Sequence, residues 1–537
     1  MLRVATTLLD LLRARKKPGS KGSPRGRAGE PPVPVLRDVQ ANVRAVAGFL
    51  GEPQDLVTRT FKLGGTKQLE CGVIWIDGLA DKRLISRHIL KPLMSGAFEA
   101  QADATAPRGN VLEFVRDCGI SLGQLRAVCD LREVVSGILS GDTAVFIQTS
   151  GQALLASTRG WKTRDVEEPR GESVIRGPRE GFVEDLRTNT VLLRRRIRSP
   201  NLRIETLTIG SAGQTQVAVV YLEGIANPKV VEEVWARLRR IKIDADLSDQ
   251  YVEELIRDAP LSPFPTVANT ERPDAVAAGI LEGQVAVLVD GSPFALRMPV
   301  TFLQYFQSPE DYYVNFHTAT LSRWLRLVAL LAALTLPSLY VAVTTFNPEM
   351  LPTPLLVSIA AAREGVPFPV AIEAFLMELA FETLREAGLR MPRVIGPAVS
   401  IVGALVLGEA AISAGIVSAP TVIVVAFTAI ASFSITYPDI TAIARLLRFL
   451  LLALSAILGL FGLMTGFIAV HIHLLSLRSF GVPYMSPLAP SSLAARDILV
   501  RWPLWARTKR VGYITWQDMR RQPATSMPQA PVRRKRM

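Results

Sequence analysis

Cysteine is scarce: Cys71, Cys118 and Cys129 are the only three in 537 residues. Their number is odd and none sits in a C-x-x-C pair. That argues against a disulfide framework and against a zinc site, and it fits a reducing compartment for the soluble part. Signature loops of catalysis are missing too. There is no P-loop, no complete G-x-G-x-x-G and no nucleophile elbow, and no cluster of nucleophile or metal-ligand residues converges. The chain is therefore not expected to be an enzyme, and no cofactor or metal is expected. The N-terminus has no convincing signal peptide, because Asp10 breaks its apolar stretch and no small-residue cleavage site follows.

Long apolar runs are absent up to about Ser322 and abundant after Leu327, so the mean hydropathy of +0.26 averages two unlike parts. The net charge of +13 is uneven as well. Residues 1–30 carry +6 and residues 478–537 carry +10, leaving −3 for everything between. Basic tails beside membrane spans suit an anionic leaflet better than nucleic acid, at about 1 kcal/mol per Lys or Arg near the surface. Residues 18–34 are rich in Gly, Pro and Ser and are expected to be a disordered linker, so 1–34 forms a basic N-terminal tail.

The soluble half contains a tandem repeat. Asp55–Gly64 matches Asn201–Gly210, and Ile76-Asp-Gly-Leu-Ala80 matches Leu222-Glu-Gly-Ile-Ala226. Leu139-x-Gly-x-x-Ala-Val-x-Ile147 matches Leu281-x-Gly-x-x-Ala-Val-x-Val289. The offsets of 146, 146 and 142 predict two related α/β subdomains, 35–165 and 173–310, with one topology. In each, a strand (Gly72–Asp77; Val217–Glu223) ends at an acidic-Gly pair and a helix follows (81–94; 228–241). A hairpin closes each unit, and the Asp290-Gly291 turn marks the second. Asp77 and Glu223 are better explained as residues favouring a helix start than as catalytic carboxylates.

The remainder predicts an α-helical multi-span membrane domain over 323–477. Leu327–Pro348 is 22 residues without a charge, enough for one span. Residues 394–438 hold one charge, Glu409, and Pro420 divides them into spans 394–417 and 420–437. A fourth span is expected over 446–474. Between spans one and two, 353–388 reads as amphipathic or re-entrant: Ile372, Leu376, Leu379 and Leu384 fall on one side, Glu378, Glu382, Arg385 and Glu386 on the other. Four spans and a basic C-terminal tail (478–537) put the soluble region and both termini in the cytoplasm.

Gly403, Gly408, Ala411 and Gly415 let helices approach closely; they serve packing or line a pore. Glu409, with Ser413 one turn on, is either part of an ion path or a protonated structural carboxyl, since a mid-span charge facing lipid costs roughly 3 kcal/mol. His471 and His473 point to different faces and are not a metal pair.

Several ordered stretches resemble the A subunits of GerA-type spore germination receptors. They include Val174-Ile-Arg-Gly-Pro-Arg-Glu-Gly-Phe182, Arg194-Arg-Arg-Ile197, Pro263-Phe-Pro265, Thr270-Glu-Arg-Pro-Asp274, Leu384-Arg-Glu-Ala-Gly388 and Gly403-Ala-Leu-Val-Leu-Gly408. The resemblance covers about 35–490. It implies a spore inner-membrane subunit that works with a transporter-like B subunit and a C-subunit lipoprotein, and that forms a homo-oligomeric, nutrient-gated ion channel. A paralogue class working with the spore dipicolinate channel shares the pattern, and a membrane transporter is the alternative of another class. Within the motifs, Arg176, Arg179, Glu180, Glu271, Arg272 and Asp274 are candidates for a subunit interface or for coupling to the spans, against ion pairs around the turns at Gly177-Pro178 and Pro273.

Overall fold

The computed structural model describes residues 32–63, 69–95, 111–160, 176–245, 248–390, 408–489 and 500–510, with isolated positions near 172, 497 and 514–522. The N-terminal tail up to residue 31 lies outside the described residues, as does Gly403.

The first unit opens with α1 (Val39–Leu50), whose cap Asp38 accepts from the Gln40 amide. β1 (Leu56–Lys62) pairs antiparallel with β2 (Glu70–Ile76), Leu56 opposite Ile76. A helical stretch over 82–94 follows, α2, capped by Asp81 and widened by a π-turn at Ser86–Leu90. Then come α3 (Val111–Phe114), β3 (Leu125–Val128), α4 (Leu131–Leu139), β4 (Thr143–Ile147) and β5 (Ala153–Ala156). The strand order is β1-β2-β4-β5-β3.

The second unit repeats this plan. It contains α5 (Leu186–Arg196), β6 (Leu202–Ile209), β7 (Thr215–Leu222), α6 (Pro228–Arg240), α7 (Asp249–Ile256), β8 (Ala268–Thr270), α8 (Pro273–Leu281), β9 (Val285–Val289) and β10 (Ala295–Met298). Its order is β6-β7-β9-β10-β8, the same as the first sheet, and every pairing within the two sheets is antiparallel. β6 starts 146 residues after β1, and β9 starts 142 after β4.

The duplication reaches individual hydrogen bonds. Buried Asn42 accepts from the Leu36 amide at 2.8 Å and donates to the Leu36 carbonyl at 2.6 Å. Asn189 makes the same two bonds with Val183, at 2.9 and 2.5 Å. An Asn side chain matches a backbone amide with one acceptor and one donor, which pins the strand entering each helix. The units are joined by Arg194 of α5, 2 % exposed, which forks onto Asp55 at 2.6 and 2.8 Å. Val191 of α5 packs in the core of the first unit.

The helical half begins with α9 (Phe316–Phe346), capped by Asn315 and containing Pro337. Then come α10 (Thr353–Arg363), α11 (Val370–Arg390), a helical stretch from residue 408, α12 (Ala419–Phe433) and α13 (Pro438–Ser476). Two of these, α9 and α13, are long and apolar enough to cross a membrane. The span expected at 394–417 lies mostly outside the described residues.

The single span expected over 446–474 is corrected: α13 is two helices joined at Gly459, whose backbone (φ 60, ψ −141) is not helical. The chain reverses there. A Cβ placed on Gly466 would touch Leu451 and Leu454, and Leu474 and Leu477 share a core with Tyr437 and Ile440. At 1.5 Å per residue a straight helix would put Leu451 and Gly466 about 22 Å apart. The region expected as amphipathic has its polar side against other helices. In α11 the apolar side is exposed (Ile372, Phe375, Leu379), while Glu373 and Glu378 are fully buried against other helices. A charged face that finds partners inside a bundle leaves its apolar face for lipid.

Candidate functional site

The segment between the two sheets folds over the start of α8. Arg272, 1 % exposed, forks onto Asp274 at 3.1 and 2.8 Å and donates to the carbonyls of Glu172 (3.1 Å) and Pro178 (3.0 Å). The Thr270 hydroxyl donates to Glu172 at 2.6 Å, and the Phe182 amide donates to the Glu271 carbonyl at 2.8 Å. Glu180 pairs with Arg195 and Arg196 of α5. Arg176 and Arg179 are exposed. The structure thus brings Glu180, Arg272 and Asp274 together within one unit as ion pairs around turns, with Glu271 joining through its carbonyl.

This cluster also reaches toward the helices. Tyr313, just before α9, donates to Asp274 at 2.7 Å and packs its ring beside Gly177. Burial, and then the bond to Asp274, pushes its hydroxyl up to about 12, so it remains a donor at neutral pH. One turn away, buried Asp311 accepts from Arg323 (2.9 Å) and from both Nη atoms of Arg326 (3.0 and 2.9 Å). Arg323, Arg501 and Arg507 surround the Tyr312 ring at 5.5, 5.5 and 5.1 Å, a cation–π arrangement. Asp497 pairs with Arg507 at 3.0 Å.

The stretch expected as a free basic tail after residue 477 is, in its described part, structural. β11 (Arg478–Ser479) and β12 (Val482–Pro483) form a short hairpin. Phe480 enters the core of the second unit under the Arg237 guanidinium at 4.3 Å, and its amide donates to Asp258 at 2.7 Å. The Ser479 hydroxyl donates to the Thr266 carbonyl at 2.6 Å. A cavity of about 270 Å³ lies where α8, Tyr313, Tyr437 and Arg507 meet. The base of α9, the end of α13 and the second sheet are therefore one packed unit, and a shift in one is felt by the others. The run 479–495, apolar and free of Lys and Arg within an otherwise basic segment, was the available signal.

Within the bundle, the Glu373 carboxylate accepts from the Ser418 amide (3.0 Å), the Ser418 hydroxyl (2.8 Å), Thr421 (3.0 Å) and Arg363 (3.3 Å). Arg448 donates to Glu378 at 2.6 Å and Arg445 to Glu382 at 3.0 Å. Sequence reasoning set Glu378 and Glu382 opposite the apolar stripe without naming partners and did not single out Glu373, because helical periodicity does not say what covers a face.

The small residues divide by direction. Gly408 is buried, with Val422 3.4 Å from where its Cβ would be. Ala411 packs beside Met377, Val417 and Val425. Gly415 takes φ 65 at the turn before α12, where a Cβ would meet the Gly365 carbonyl at 3.3 Å. Glu409 and Ser413, four apart on one face, are exposed on the outside of the bundle.

The family model described as Bacillus/Clostridium GerA spore germination protein matches residues 45–513. Spore germination protein KA of Bacillus subtilis (strain 168) is 44% identical over 93% of this chain and 91% of its own length. Spore germination protein GerLA of Bacillus cereus is 39% identical over 89% of this chain and 95% of its own length. The solved N-terminal domain of the A subunit of the Bacillus megaterium spore germinant receptor GerK3 covers 51% of this chain and 99% of that one, at 30% identity and a TM-score of 0.41. With a family model over most of its length and relatives near 40% identity, the chain belongs to the GerA family of spore germination proteins.

Proposed function

We propose that this chain is the A subunit of a nutrient-responsive spore germination receptor and that several copies assemble around an ion path. A transporter-like B subunit and a C-subunit lipoprotein complete the receptor. The chain lies in the spore inner membrane with its two sheets and both ends in the cytoplasm. In this reading α9, α11, residues 394–417, α12 and the two arms of α13 cross the bilayer. Six crossings keep both ends on one side, as the four expected from sequence did.

One observation carries the oligomeric path. Glu373, Glu378 and Arg448 are buried and paired inside the protomer, whereas Glu409 is exposed on its outer surface beside Ser413. A carboxylate facing lipid at that depth costs roughly 3 kcal/mol. A second copy or a water-filled path removes that cost. Inward Gly408 and Ala411 pack the protomer; outward Glu409 and Ser413 are free to line the path, where a ring of carboxylates raises cation occupancy. Glu409→Gln keeps shape and hydrogen bonding while removing the charge. The expected result is slower cation release on nutrient addition, or an altered pH dependence, at normal protein level. Unchanged rate, ion preference and pH dependence would remove Glu409 from the path.

A further inference from the structure

The charged stripe of α11 is not uniform. Glu373 has four hydrogen-bond donors and is saturated. One turn further on the account does not close. Glu378, Glu382 and Arg385 follow at intervals of four and three, which stacks them on one helix face. Arg445 and Arg448 face them from the first arm of α13. Each Glu–Arg pair is joined by one hydrogen bond.

Five buried polar atoms in this cluster have no hydrogen-bond partner among the described residues: Glu378 Oε1, Glu382 Oε1, Arg385 Nη1, Arg445 Nε and Arg448 Nε. Glu378 is fully buried and Arg448 is 1 % exposed. Arg385 has Arg445, Arg448 and Glu382 within electrostatic reach. Three guanidiniums against two carboxylates leave one positive charge between the two helices, with Arg385 and Arg445 partly exposed and Arg448 buried. Buried charge without a counter-charge is strongly disfavoured, and so is each unpaired N–H.

The geometry points to a binding site for one small monovalent anion, of the halide or formate class, between α11 and the first arm of α13. Arg385 Nη1, Arg445 Nε and Arg448 Nε are its donors. The anion balances the charge and takes up N–H groups that no acceptor among the described residues reaches, and neighbouring water serves the two carboxylate oxygens. Arg385 is the defining residue, because it brings the charge that no carboxylate offsets. The site stands apart from the outward-facing Glu409 and does not depend on the proposed ion path.

Radiolabelled chloride binding to the purified full-length chain in nanodiscs tests it. Wild type is expected to bind saturably, about one chloride per chain, displaced by bromide and formate. Arg385→Gln removes the excess charge and a charge-assisted donor, so binding should fall roughly ten-fold or more. Glu378→Gln guards against a misfolded Arg385 variant. It preserves the side-chain shape and raises the excess charge, so chloride should bind more tightly. Absence of saturable chloride binding in wild type overturns the site and means the cluster is merely hydrated. So does equal binding by a folded Arg385→Gln chain, or binding by Glu378→Gln no tighter than wild type. None of these results bears on cation release by Glu409→Gln.

Discussion

Replacing Gly459 by alanine separates two pictures of α13 by the sign of the effect. In a continuous helix of 39 residues, Gly→Ala at an interior position stabilises by about 1 kcal/mol. In the hairpin the same change acts against the fold. Gly459 sits at φ 60, ψ −141, a conformation nearly reserved for glycine, and forcing another residue into it costs about 1–3 kcal/mol. A Cβ there would lie 2.8 Å from Cγ and 2.9 Å from Cβ of Phe346, at the end of α9. Such overpacking adds about 1–3 kcal/mol. The expected loss is therefore about 4 kcal/mol, which lowers Tm by roughly 8–16 °C in a cooperative unit of some 150–250 residues. Gly481→Ala is the control: it also has positive φ (82), but nothing lies within 4 Å of its Cβ, so the loss should be only about 1–2 kcal/mol. Thermal unfolding of the detergent-solubilised full chain, followed by intrinsic fluorescence, reads both. A Gly459→Ala chain as stable as wild type, or more so, would refute the hairpin.

Two further perturbations probe the soluble side. Burial, then the nearby Asp439 and Asp249 charges, raises Glu253 to about 7. A raised carboxyl binds more protons folded than unfolded, so its penalty is absent below about pH 4.5, grows to about pH 7 and is complete above it. Glu253→Gln should thus raise Tm at pH 8 by the equivalent of up to about 3 kcal/mol and leave it nearly unchanged at pH 4.5; an equal gain at both pH values would refute the assignment. Arg272→Met strands Asp274 in the buried junction and should cost about 3–5 kcal/mol, most of it recovered by adding Asp274→Leu; a double mutant with no recovery would show that the pair is not coupled.

The sheets were readable because their signals are local. Asp290-Gly291 turns a hairpin, and the acidic-Gly pairs end strands at matching places in the two copies. The five-strand order was not readable, because the edge strands β3 and β8, of four and three residues, carry too little alternation to be seen. In the bundle, the apolar stripe of α11 was seen, but not what covers its polar side. Whether Glu378 meets water or Arg448 is decided by a residue 70 positions away. Length was the overlooked clue to Gly459: the 29 residues of 446–474 would extend about 44 Å as one helix, well beyond a bilayer core. Glu409 was singled out by charge alone, but its outward direction depends on which neighbours Gly408 and Ala411 pack against.

The most direct test of an oligomeric path at Glu409 is cross-linking in native membranes. In a chain whose Cys118 and Cys129 are replaced by serine, Glu409→Cys should form intermolecular disulfides that join copies into covalent dimers, one bond for each exposed thiol, the remaining Cys71 being buried. Ile423→Cys, exposed on α12, gives the level expected from random collision. A Glu409→Cys chain that cross-links no more than Ile423→Cys would contradict the account.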